Sequence, residues 1–115
     1  MKKKVIKQRC EKISLSKCEG GVCRTYSPIQ LNYAQKIEAS EEIRSFRCNV
    51  YLEGLEEGDY TSDFVCVKAD GNLMVRECVF RKNLLRPSTA KLLDLSRAYW
   101  LKRGVTDWGL VVDAA

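Results

Sequence analysis

The fold is decided by residues 60–81, which read YTSDFVCVKADGNLMVRECVFR. Two runs rich in aromatic and β-branched residues, 60–68 and 73–81, flank the turn-forming triplet Asp70-Gly71-Asn72. Such runs around a short Gly-containing turn are typical of a β-hairpin. We therefore expect two antiparallel strands here and work outward from them.

The hairpin register places two carboxylates together. If residue i opposes residue 140 − i, then Val65 opposes Val75 and Asp63 opposes Glu77. Directly opposed side chains lie about 4.5–5.5 Å apart at Cβ, so two carboxylates repel unless a proton or a cation lies between them. Carboxylate oxygens are ligands that Mg²⁺ prefers. Two alternatives remain open: the acids are solvated on an outer face, or a one-residue shift in register separates them.

The flanking sequence predicts a mixed α/β domain of helix, three strands, helix and strand. Phe46, Cys48, Val50 and Leu52 alternate with polar residues, which indicates a strand buried on one face. The other expected elements are a helix from the N-cap Ser27 and Pro28 to about Ala39, a helix with Ser88 as its N-cap that stops at Gly104, and a strand over 108–112.

The length and composition of the chain indicate one small globular domain. A chain of 115 residues with 45% hydrophobic and 30% charged residues fits a single small domain. No apolar run approaches the roughly 20 residues of a membrane span. No apolar stretch follows the Met-Lys-Lys-Lys start, so we expect no secretory signal and a cytoplasmic protein without a membrane partner.

Charge is concentrated at the N-terminus. Residues 1–24 carry eight Lys and Arg against two Glu, a net charge of +6, whereas the remainder carries −1. We therefore divide the chain into a basic arm, 1–26, with at most a short strand, and a domain, 27–115. A polyanion such as DNA is the natural partner of the arm, although a solubilising tail has the same composition. The candidate DNA contacts are Lys2, Lys3, Lys4, Lys7 and Arg9.

Six cysteines and no histidine raise the question of a metal or a disulfide framework. Without a secretory signal we expect reduced thiols. Cys66 and Cys78 lie in strand-like runs, where buried thiols are common. Four others have the composition of a zinc site but lack paired C-x2-C spacing, so structural thiols are expected and zinc is not. These four are Cys10, Cys18, Cys23 and Cys48.

Four ordered segments match the motifs of one family. They are EIRSFRC (42–48), YTSDFV (60–65), RECV (76–79) and a tail over 89–111 in which Tyr-Trp, Gly and Asp-Trp follow in order. They resemble the patterns D-V-V-x-x-R-E-Q, Y-T-P-D-F, (E/Q)-x-K and Y-W-x-x-x-G-I-D-W-x-I-V. On these motifs the stretch from about Tyr33 to Val112 resembles the TnsA-type endonuclease subunit of heteromeric bacterial transposases.

The resemblance implies a restriction-endonuclease-like (PD-(D/E)xK) fold, a mixed sheet flanked by two helices. In that family a helix Glu, a strand Asp and a Glu or Gln bind Mg²⁺ or Mn²⁺, and a Lys helps to position the attacking water. Asp63 and Glu77 match the second and third positions. Gln30 falls near the helix Glu, and Val79 occupies the Lys position. Arg81, four residues beyond Glu77, is then expected on the same strand face, where it can only stabilise charge on a phosphate.

Three functions follow as hypotheses. The first is a Mg²⁺-dependent DNA endonuclease that hydrolyses phosphodiesters at transposon ends beside the transposase subunit of the same mobile element. The second is a catalytically decayed nuclease fold that acts as a DNA- or transposase-binding module, which Gln30 and Val79 favour. The third is a small zinc-stapled adaptor.

Overall fold

The structure is a computed structural model that describes residues 10–56 and 58–113. Four strands form a mixed sheet in the order β3-β4-β5-β6, in which β6 runs parallel to β5 and the other neighbours are antiparallel. A small α/β domain with a mixed sheet and two helices is therefore confirmed. The elements are β1 (Glu11–Ser14), β2 (Val22–Thr25), α1 (Pro28–Ala39), β3 (Ile43–Tyr51), β4 (Thr61–Lys68), β5 (Leu73–Val79), a 3-10 helix (Arg81–Asn83), α2 (Pro87–Lys102) and β6 (Asp107–Val112).

Helix ends follow local chemistry with one exception. The hydroxyl of Ser27 accepts a hydrogen bond from the amide of Gln30, and α1 begins at Pro28 as predicted. The second helix begins at Pro87 with Arg86 at the N-cap, so the prediction of Ser88 as N-cap is wrong. The ring of Pro87 fixes φ for the first helical position, so the helix starts two residues earlier than an N-cap at Ser88 implies. Gly104, with φ of 83°, ends α2 as predicted.

The two helices cover opposite faces of the sheet. On one face Ile29, Ala34 and Ile37 of α1 share a buried cluster with Phe46 and Phe64. On the other face Trp100 of α2 packs with residues that alternate with those of the first cluster along β4 and β5. These residues include Val65 and Val75. Neither helix of the described chain has the length and hydropathy needed to span a bilayer.

The third strand exchanges faces halfway along its length. Phe46 and Cys48 pack in the α1 cluster, whereas Val50 and Leu52 pack in the α2 cluster. The prediction that all four share one face is therefore wrong. Asn49 explains the exchange, because its φ of +53° is left-handed backbone that breaks the two-residue alternation.

The described part of the N-terminal segment is a folded hairpin, not an arm with at most a short strand. The paired strands β1 and β2 form this N-terminal hairpin, residues 11–25. Its turn lies on β3, since the amide of Phe46 donates to the carbonyl of Lys17 and the amide of Glu19 donates to the carbonyl of Phe46. Cys18 and Cys23 of the hairpin are buried in the same cluster as Phe46. The five candidate DNA contacts, Lys2, Lys3, Lys4, Lys7 and Arg9, lie outside the described residues.

Candidate functional site

The predicted hairpin register is confirmed. Phe64 pairs with Arg76 and Val65 pairs with Val75, as the relation i to 140 − i requires. Beyond these pairs the side chains of Asp63 and Glu77, the acid pair, replace the ladder of backbone hydrogen bonds. The amide of Asp63 donates to Glu77 Oε1 at 2.9 Å, and the amide of Cys78 donates to Asp63 Oδ2 at 2.6 Å. The two carboxylates therefore lie where β4 and β5 diverge.

Glu77 is fully buried on the α2 face. Its Oε2 accepts hydrogen bonds from the hydroxyls of Ser62 at 2.7 Å and Ser96 at 2.5 Å. Each serine oxygen in turn accepts from an indole: Trp100 Nε1 donates to Ser62 at 2.9 Å, and Trp108 Nε1 donates to Ser96 at 3.0 Å. Because every polar atom in this network has a partner, the orientation of the Glu77 carboxylate is fixed.

The acid pair titrates unusually. Burial, followed by the charge of Asp63, raises the pKa of Glu77 to about 7. Burial also raises the pKa of Asp63, against the hydrogen bond from the Cys78 amide that lowers it. Tyr60 lies close by, and its buried hydroxyl has no hydrogen-bond partner among the described residues. Burial therefore favours a proton on the acid pair at a higher pH than is usual for carboxylates.

Gln30 reaches the acid pair from α1. Its Nε2 lies 3.3 Å from Asp63 Oδ1 and donates to Asn49 Oδ1 at 2.8 Å. Its Oε1 accepts from the amide of Tyr26 at 2.7 Å. The amide nitrogen, not the oxygen, therefore faces Asp63. In this orientation Gln30 positions the carboxylate and is not a ligand of a cation beside it.

Arg81 does not lie where the sequence suggested. The fifth strand ends at Val79, and Arg81 begins the 3-10 helix on the exposed surface. Its backbone amide and Nε donate to Asp113 Oδ1 at 2.6 Å and to the Asp113 carbonyl at 2.7 Å. The expectation that it extends along the Glu77 face of β5 is therefore wrong, because the chain leaves the strand after Val79. The buried side chain of Val79 carries no charge.

Three of the four predicted cysteines converge. The sulfurs of Cys18, Cys23 and Cys48, the thiol cluster, all lie within 4.8 Å of one another. In the part of the chain that the structure describes, this is the only group of three or more metal-ligating side chains so close together. Cys10 is exposed and lies outside the group.

Thiols in this cluster differ in acidity. A hydrogen bond with Cys23, together with one from the backbone amide of Arg24, lowers the pKa of Cys48 to about 6 against the effect of burial. The same contact raises the pKa of Cys23, while burial raises that of Cys18 to about 11. Of the three thiols, that of Cys48 therefore loses its proton most readily.

The signal in the sequence was the pair Cys18-x4-Cys23 around two glycines, within the spacing range of zinc ligands. The contribution of Cys48 depends on tertiary packing and has no local signal.

Comparison with models of known protein families gives no match for the chain, and comparison with curated proteins gives none either. The functional argument therefore depends on the two clusters of side chains themselves.

Proposed function

We propose that this chain is a DNA endonuclease subunit of a heteromeric transposase, of the TnsA type, and that Asp63 and Glu77 are its ligands for Mg²⁺ or Mn²⁺. One observation carries the proposal: residues far apart in sequence, Gln30, Asp63 and Glu77, meet at the point where β4 and β5 diverge. These are the positions that the family resemblance assigns to its metal site. The mixed sheet flanked by two helices also agrees with a restriction-endonuclease-like fold.

The donor set fits a hard divalent cation. Two adjacent carboxylates supply oxygen ligands, and Asp63 Oδ1 makes only a long hydrogen bond of 3.3 Å. Such an ion, when bound, acidifies a water and neutralises charge on a phosphate. The protein holds the ligands in place: Ser62 and Ser96 orient Glu77, and the amide of Gln30 orients Asp63. A cation would exchange for the proton that burial favours on this pair.

DNA is the proposed substrate because the basic residues of the first nine positions match the charge of a phosphate backbone. Five cations at Lys2, Lys3, Lys4, Lys7 and Arg9 provide contacts without base specificity. Recognition of a particular transposon end then falls to the transposase subunit of the same element.

A second candidate is a nuclease fold that binds DNA or the transposase without cutting. The observation that favours it is the chemistry around the acid pair. Val79 stands at the family's lysine position and is buried, and Gln30 presents its amide nitrogen to Asp63. Arg81 contacts Asp113 instead. Positioning of an attacking water by a lysine at position 79 is therefore excluded.

Calorimetric titration of Mn²⁺ into the full chain tests the proposal. We expect saturable binding that disappears in Asp63→Ala and persists in Asp94→Ala, which removes an exposed carboxylate of α2. Urea unfolding of Asp63→Ala establishes that the variant is folded. Absence of binding by the wild-type protein at millimolar Mn²⁺ would refute the metal site.

Cleavage separates the two candidates. The measurement is nicking of supercoiled plasmid by the wild-type chain together with its transposase, in Mg²⁺ and in Mn²⁺. Nicking that Asp63→Ala abolishes supports the endonuclease. Saturable Mn²⁺ binding and DNA binding without nicking would favour the non-cleaving module.

A further inference from the structure

The thiol cluster is independent of the acid pair and has no part in the proposed hydrolysis. Cys18 and Cys23 are buried, and Cys48 is half-buried beside them. Three mutually close thiols cannot all be satisfied by one disulfide, because a disulfide joins only two. Side chains that converge from two separate parts of the chain on one point are the arrangement of a metal site.

Local structure places two of the three cysteines, Cys18 and Cys23, at the ends of one tight turn. The turn between Cys18 and Cys23 contains Gly20 and Gly21, whose φ values of 84° and 79° are left-handed backbone that favours glycine. The amide of Gly21 donates to the carbonyl of Cys18 at 2.8 Å, which closes the turn. The two sulfurs are thereby directed to one side of the N-terminal hairpin.

Tertiary contacts place Cys48 beside the other two cysteines. The turn is bonded to β3 through Phe46, two residues before Cys48. The carboxylate of Glu38, at the end of α1, accepts hydrogen bonds from the backbone amides of Ser16 and Lys17. These contacts fix the turn against both α1 and β3, so the three sulfurs meet without rearrangement of the fold.

We propose that Cys18, Cys23 and Cys48 bind one Zn²⁺ ion that fastens the N-terminal hairpin to the sheet. Thiolates are soft ligands that select Zn²⁺ over Mg²⁺ or Ca²⁺, and a chain with no histidine has no imidazole to offer. Tetrahedral Zn²⁺ accepts three thiolates and one further donor.

A structural ion explains how so short a hairpin is held. Each of its strands has four residues, and the hairpin is not part of the four-stranded sheet. An isolated two-stranded hairpin is marginally stable in water, so burial of two cysteines needs further support. Zinc bound to both hairpin and β3 supplies that support, because its binding free energy contributes to folding.

Metal analysis of the purified full chain tests the site. We expect one zinc per chain in the wild type. In competition with a chelator, Cys48→Ala should bind Zn²⁺ at least about 100-fold more weakly, since loss of a direct ligand exceeds the 10–100-fold typical of outer-shell changes. Cys66→Ala is the control, because Cys66 is a buried cysteine of the sheet that lies outside the cluster. We expect it to retain full zinc content.

Cobalt substitution decides the question even if Cys48→Ala fails to fold. The wild-type chain titrated with Co²⁺ should show thiolate-to-metal charge transfer and the intense visible bands of a tetrahedral ion. Weak octahedral bands only, or Zn²⁺ affinity unchanged in a folded Cys48→Ala, would overturn the proposal. Asp63→Ala should leave the Co²⁺ spectrum unchanged, so failure here and failure of the proposed endonuclease are distinguishable.

Discussion

The acid pair and the thiol cluster are two groups of ionisable side chains built by different means. Asp63 and Glu77 lie on consecutive strands joined by a tight turn, so one register brings them together. Cys48 meets Cys18 and Cys23 only because a separate hairpin packs on β3. The first group offers hard oxygen ligands and the second soft sulfur ligands. Pairing across one short turn can be predicted from a sequence, whereas the convergence of distant elements cannot.

The largest expected effect tests whether the acid pair also holds the strands together. Glu77→Ala removes the acceptor of three hydrogen bonds, from Asp63, Ser62 and Ser96, and leaves a cavity. We expect the free energy of unfolding to fall by about 3 kcal/mol. Urea unfolding measures it, with the exposed Asp94→Ala as control, which should change stability by less than about 0.5 kcal/mol. A similar small loss for Glu77→Ala would deny the pair a structural role.

The next largest effect is the pH dependence of stability that Glu77 contributes. The folded-state pKa of Glu77, about 7, exceeds its ordinary value of 4.5. Its contribution to stability is therefore complete below pH 4.5 and is lost as the pH rises to 7. Across that range we expect metal-free protein to lose up to about 3 kcal/mol of unfolding free energy.

Asp63 and Tyr60 face Glu77, and the nearby serines do not titrate in this range. Glu77→Gln should flatten the pH dependence seen in urea unfolding. A difference in unfolding free energy between the wild type and Glu77→Gln that does not fall as the pH rises from 4.5 to 7 would show that the carboxylate is not buried as described.

A third carboxylate added beside the acid pair should change metal binding there and leave the thiol cluster unaffected. Gln30→Glu removes the hydrogen bonds to Asn49 and Asp63 and adds negative charge beside the pair. Without divalent cations we expect a loss of about 1–2 kcal/mol in unfolding free energy. Mn²⁺ should bind about tenfold more tightly, because affinity rises with the number of charged ligands. Zinc content should not change, and weaker Mn²⁺ binding by this variant would contradict the proposed position of the cation.

The smallest effect concerns Cys10. It is exposed and lies outside the group of three sulfurs, so Cys10→Ser should weaken Zn²⁺ binding by less than about tenfold. Competition with a chelator measures the change. A loss as large as that of Cys48→Ala would make Cys10 the fourth ligand and would bring the N-terminal end of the hairpin into the site.

Elements with local chemical signals were predictable. Ser27 and Pro28 fix the start of α1, and Gly104 fixes the end of α2. The turn at Asp70-Gly71-Asn72 fixes the register that joins Asp63 to Glu77. In each case the signal and the structure lie within a few residues of one another, or across one short turn.

Features that depend on tertiary packing were not predictable in the same way. The single-face prediction for β3 failed because periodicity does not reveal the left-handed backbone of Asn49. The expected position of Arg81 failed because β5 ends at Val79 and the chain turns. The charge of the N-terminal segment predicts an arm and gives no sign that Cys18 and Cys23 are buried against the sheet.

The indole network around Glu77 gives the protein a built-in optical probe. The chain has only two tryptophans, and each donates its Nε1 hydrogen to a serine that in turn donates to the same carboxylate oxygen. One hydroxyl separates each indole from that oxygen, so a change in the charge of Glu77 alters the surroundings of both tryptophans. Intrinsic emission of the unlabelled protein therefore reports on the carboxylate in real time, in solution and in the presence of DNA.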